Sequence, residues 1–157
     1  QVFQVVTAAN RPPIRCGKVR VQFIARKNIR EMPVVQRNTP RGMMKVSSAE
    51  ATAFDLVGYA RHAGGLQNVA TILAELIESL KAENLARIAP LSPAPWAQRL
   101  GWLLELTGAS ELAEPLAEYV TRTATEYVPL NSKRGLKKSE RSARWKLFVN
   151  DQVEPDL

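Results

Sequence analysis

The sequence predicts an α+β fold: N-terminal strands, a central run of four to five helices, and a C-terminal strand returning to the sheet. Three observations carry this reading. Apolar residues alternate through the first 46 positions, recur at spacings of three and four from Ser47 to about Thr125, and alternate again over 145–151. A chain of 157 residues suits a single domain with a sizeable core.

The elements follow in order. Residues 2–9, rich in Val and Phe, form a strand that Asn10-Arg11-Pro12-Pro13 breaks. Over 18–26, Val19, Val21 and Phe23 share one face while Lys18, Arg20 and Gln22 share the other, as in a half-buried strand with a basic outer face. Residues 31–46 hold one or two short strands with a turn at Pro40-Arg41-Gly42. Ser47-Ser48-Ala49-Glu50 reads as a capping box, with the Ser47 hydroxyl accepting from the Glu50 N–H and the Glu50 carboxylate accepting from the Ser47 N–H. The helix it opens carries Phe54, Leu56, Val57 and Ala60 and ends at Gly64-Gly65.

A second helix bears Leu66, Val69, Ile72-Leu73, Leu76-Ile77 and Leu80 on one stripe. Residues 82–89 form a short third helix. Pro90, Pro93 and Pro95 divide it from a fourth, marked by Trp96, Leu100 and Leu103-Leu104 and stopped by Gly108. Ser110 or Glu114-Pro115 opens a fifth, with Pro115 near its first turn. Residues 130–144 are a polar, basic loop or exposed arm. The strand over 145–151 is expected to rejoin the first sheet, and an acidic tail follows.

Catalysis has little to build on. No G-x-S-x-G turn presents a nucleophile. His62 is the single histidine and is read as a partner of a helix end. Asp55 lies about 140° around the helix from Glu50, so these two do not converge. Glu31 is the lone acid of the first 45 residues, which leaves no carboxylate cluster beside a lysine for metal-dependent nuclease chemistry. Gly64-Gly65 lacks the spacing of a phosphate loop. The expectation is a protein that is not an enzyme, with no catalytic residues, no metal and no cofactor. Cys16 alone allows no internal disulfide, in keeping with a reducing cytoplasm, and no apolar run approaches the roughly 18 residues of a membrane span.

Charge is the remaining signal. Residues 1–45 carry ten Lys and Arg against one acid, residues 46–130 carry five against ten, and residues 131–157 carry seven against four. Two basic ends therefore flank an acidic middle. Arg11, Arg15, Lys18, Arg20, Arg26 and Lys27 cluster on the first strands, and Lys133, Arg134, Lys137, Lys138, Arg141 and Arg144 precede the last one. If the last strand rejoins the first sheet, both clusters share a surface that attracts RNA or DNA phosphates. The lysines have no aromatic ladder beside them, so base stacking is not the expected mode.

Five stretches, TPRGMMKVSSAEATAFDLV, AGGLQNVATILAEL, RLGWLLELTG, YVPLNSKRG and RWKLFVNDQVEPD, together span residues 39–157 and resemble the C-terminal domain of AbiEi-type antitoxins of type IV toxin–antitoxin (abortive infection) systems. The resemblance implies a bacterial, non-enzymatic domain that neutralises a nucleotidyltransferase toxin without a stable toxin complex. It also implies a preceding winged helix-turn-helix that binds operator DNA and represses transcription. The chain opens on Gln1 inside a strand pattern, and such an upstream domain is expected in the full protein. A second reading stays open on the residues themselves: a generic nucleic-acid-binding module with a basic surface, of degenerate nuclease-like fold.

Overall fold

The computed structural model describes residues 1–155. The chain divides into two compact units, Gln1–Pro33 and Val34–Leu157. The first is a three-stranded sheet of β1 (Val2–Thr7), β2 (Ile14–Cys16) and β3 (Val19–Ala25). Here β3 is central, parallel to β1 and antiparallel to β2. The short β2 escapes the alternation signal because three residues are too few to show a period. Gly17, at φ +57°, makes the tight β2–β3 turn. The expected basic outer face of β3 does not run its full length. Ile24 is buried on that face, and Arg26, just past the strand, is only 4% exposed, its Nε donating to Asn28 Oδ1.

The second unit begins with an antiparallel hairpin, β4 (Val34–Thr39) and β5 (Gly42–Ser47), around the expected Pro40-Arg41 turn. Thr39 closes that turn by donating to the Gly42 carbonyl at 2.7 Å and accepting from the Arg41 N–H. Five helices follow: α1 (Ala49–Gly58), α2 (Leu66–Leu76), α3 (Ala82–Ile88), α4 (Ala94–Leu106) and α5 (Ser110–Thr123). Their apolar stripes meet in one core, with Phe54, Leu73, Leu85, Leu100, Leu104 and Leu116 fully buried.

Helix starts and stops show where local pattern suffices. The capping box does not form: Ser47 ends β5, and Ser48 is the N-cap, its hydroxyl accepting from the Ala51 N–H at 3.1 Å. Glu50 is buried and reaches a different helix start, accepting from the Lys81 N–H at 3.0 Å and the Asn84 side-chain amide at 3.2 Å. There the carboxylate satisfies an otherwise unbonded N–H at the start of α3, while the start of its own helix is capped by Ser48. Helix α1 also stops at Gly58, before Gly64-Gly65; that pair, at φ +86° and +97°, turns the chain into α2 instead.

Gly108 behaves as expected. At φ +83° it donates to the Glu105 carbonyl while Ala109 donates to Leu104, and this double bond pattern closes α4. Of the two starts open for α5, Ser110 is used. Pro115 therefore lies inside the helix and cannot donate to residue 111, a loss offset by burial of Ala113, Leu116, Ala117 and Val120.

The C-terminal strands are β6 (Val128–Pro129), β7 (Glu140–Ser142) and β8 (Leu147–Val149). The last strand does join a sheet, but one of its own: β8 lies between parallel β6 and antiparallel β7 and does not pair with the strands of the first 47 residues. Its placement is decided by Trp145, which is fully buried against α4 at Gly101, where an added Cβ would stand 2.0 Å from the indole ring. Buried Gln98 shares its two Nε2 hydrogens among the carbonyls of Glu126, Trp145 and Lys146, binding the chain just ahead of β6 and just ahead of β8 to α4.

Candidate functional site

The basic residues singled out from the sequence divide by environment. In the first unit, Arg11, Arg15, Lys18, Arg20 and Lys27 are exposed, and Arg26 is buried. Antiparallel register sets Arg15 directly opposite Arg20 across β2 and β3. Like charges facing one another across strands repel, so this strip gains from a counter-anion.

In the second unit the arginines of the 133–144 arm are engaged. Arg134 pairs with Asp151 at 2.9 Å. Arg144 donates to Glu105 and to Glu114, each at 2.7 Å, and the bond to Glu114, reinforced by Glu105, raises its pKa above the ordinary arginine value. Glu105 also accepts from the Trp145 indole N–H at 2.7 Å, so Arg144 helps hold the tryptophan in place. The Arg141 guanidinium lies 5.2 Å from the Phe148 ring centre and 5.8 Å from that of Tyr127, so the arm does have aromatic neighbours, supplied by β8 and by the residue just before β6. Lys137 and Lys138 are exposed.

Lys133 belongs to a different constellation. It lines a cavity of about 510 Å³ together with Arg61 and His62, from the turn after α1, and Arg99, from α4. Tyr59, Gly65 at the N-cap of α2 and Leu66, its first residue, complete much of the wall, and no carboxylate among the described residues lines it. Arg99 is partly buried, and its Nε and Nη2 both donate to the Pro129 carbonyl, at 3.1 and 3.0 Å. Burial lowers its pKa from the ordinary arginine value. Sequence reading missed this grouping because Arg61 and Arg99 are scattered among the acids of the central region, and only the folding of α1, α4 and the post-β6 loop gathers them.

Among the described residues, no three His, Cys, Asp or Glu side chains group to hold a metal ion, and no helix is long and apolar enough to cross a membrane.

Comparison with known proteins adds a family. A family model described as the AbiEi antitoxin C-terminal domain matches residues 1–106. It takes in the stretches 39–57 and 63–76 and most of 99–108, and stops before 127–135 and 144–156. Among solved structures, the crystal structure of the RV2827C protein from Mycobacterium tuberculosis is similar, at 18% identity and a TM-score of 0.48. The likeness covers 65% of this chain and 34% of that one, so the chain spans well under half of that protein's length. No curated protein matches the chain.

Proposed function

The chain belongs to the AbiEi antitoxin C-terminal domain family, and on that premise we propose that it neutralises a nucleotidyltransferase-type toxin without catalysis of its own. The family match over residues 1–106 is the observation that carries this reading. In the proposal both compact units act as one antitoxin domain, no stable toxin complex forms, and a winged helix-turn-helix ahead of this chain binds operator DNA and autoregulates transcription. Each unit presents its own basic surface, the cations of 11–27 in the first and those of 133–144 in the second, and that surface takes RNA or DNA phosphates.

Two features support that surface. The opposed pair Arg15 and Arg20 is relieved by a phosphate, and Lys137 and Lys138 are held in solvent. Arg26 and Arg144 contribute to the fold instead, the first by burial and the second through Glu105 and Glu114.

The test is the double variant Lys137→Glu, Lys138→Glu in the full-length protein, co-expressed with its toxin. Arg141 is left intact because its guanidinium packs on Phe148 and Tyr127. The variant should fold with an unchanged melting temperature, since solvated surface charges contribute little to stability, and should protect cells less well. Full protection by the folded variant would refute the assignment of the arm. Purified protein should also stay at background in nuclease, hydrolase and nucleotidyl-transfer assays with Mg²⁺ or Mn²⁺. Turnover that Glu31→Gln or Glu50→Gln abolishes would overturn the non-catalytic reading.

A further inference from the structure

Buried or half-buried charges in proteins are ordinarily matched by an opposite charge, because removing an ion from water without compensation is costly. Arg99 departs from this. Among the described residues its partner is a neutral carbonyl, its guanidinium is partly buried, and the cavity it lines brings two further cations, Arg61 and Lys133, with no carboxylate. The Pro129 carbonyl fixes Nε and Nη2 and so orients the guanidinium plane, a preorganised arrangement for planar recognition of an oxyanion. Gly65 is the N-cap of the 11-residue helix α2, so the positive end of that helix adds to the same wall.

Size narrows the ligand. A cavity of about 510 Å³ falls within the roughly 300–1,000 Å³ of small-molecule sites and exceeds what one inorganic phosphate fills. Tyr59 and Leu66 supply an apolar wall beside the cations, suited to a sugar or base. We infer that the cavity between the α1–α2 turn, α4 and the loop after β6 is a nucleotide-phosphate site, in which Arg61, Arg99 and Lys133 hold the phosphates. The nucleotide comes either free or as a unit of an RNA strand. This inference rests on the cavity alone and does not depend on the antitoxin reading.

The experiment titrates inorganic pyrophosphate into the purified chain at constant ionic strength, followed by calorimetry and amide chemical shifts. Pyrophosphate should bind saturably, with shifts confined to residues 59–66, 99 and 130–133. Arg61→Gln, Lys133→Gln and Arg99→Gln should each weaken binding about tenfold, as expected on losing one charge-assisted contact, whereas Lys45→Gln, at an exposed position of β5, should change it less than about twofold. Arg61 and Lys133 are exposed, so their variants remain informative if Arg99→Gln fails to fold.

Two competition arms identify the source. Displacement by a nucleoside triphosphate but not by a mixed-sequence RNA oligonucleotide assigns a free nucleotide, and displacement by RNA assigns a strand. Failure of pyrophosphate to bind, or equal binding by the Arg61→Gln and Lys133→Gln proteins, overturns the proposal. Pyrophosphate binding that neither competitor displaces reduces the cavity to an adventitious anion hole and overturns it as well.

Discussion

The β4–β5 hairpin and the helical body belong to the same compact unit, yet they use apolar residues in opposite ways. Every hairpin residue from 34 to 46 is exposed, including Val34, Val35, Met43, Met44 and Val46. In the body, Phe54, Leu73, Leu85, Leu100 and Leu104 have no exposed surface. The hairpin is held by its own ladder, by the cross-strand pair Val35 and Val46, and by the Thr39 turn bonds. The body is held by interdigitation across long sequence separations. An apolar residue thus stabilises only to the extent that something covers it, and damage should spread through the body but stay local in the hairpin.

The sharpest way to break this comparison is at the clasp between α4 and the C-terminal strands. Trp145→Ala should cost about 4 kcal/mol, as large-to-small changes at fully buried aromatics do, and should free Arg144 and Glu105 from their shared geometry. Gly101→Ala should cost about 3 kcal/mol by overpacking, because its Cβ would fall inside contact distance of the indole. Both are read from urea unfolding midpoints. A midpoint shift under a quarter of that expected would show that the C-terminal strands are not integral to the body.

A middle-sized effect is expected at Glu50. Glu50→Ala leaves the Lys81 N–H and the Asn84 amide without their acceptor and should cost about 2 kcal/mol. Amide hydrogen exchange should rise first in residues 81–85. If the exchange change appears instead at 47–51, the carboxylate caps its own helix after all.

Smaller still is the contrast between neighbouring serines. Ser48→Ala should cost about 1 kcal/mol, the usual worth of an N-cap hydroxyl, while Ser47→Ala, at the end of β5, should be nearly neutral. Equal costs would mean that the two share the cap. The smallest effect belongs to the hairpin: Met43→Thr and Met44→Thr should each change stability by less than about 0.5 kcal/mol, since both side chains are more than half exposed. A loss near that of a buried methionine would show that something covers the hairpin in solution.

Much of the helical body was legible before folding. The stripe that opens at Leu66, which runs as α2 only to Leu76 before a 3-10 turn over Ile77–Ser79, the Pro-bounded start of α4 and the Gly108 stop all follow from spacing and backbone preference, because a helix bonds to itself within four residues. The candidate site was far less legible. Arg26 looked like part of a basic strand face and is buried, and Arg144 looked like a solvated arm residue and is paired with two glutamates. Residue type announces charge but not the company it keeps.

By itself the sequence determined the fold class, a central run of four to five helices, the hairpin turn and the segregation of charge into basic ends and an acidic middle, since each depends on local spacing or on composition. Only the tertiary structure decided where Glu50 caps, which strands Leu147–Val149 joins, and that Arg61, Arg99 and Lys133 line one cavity. These choices rest on contacts between residues some 30 or more positions apart, where close packing around Trp145 and Gln98 and the pull of a distant helix end outweigh local preference.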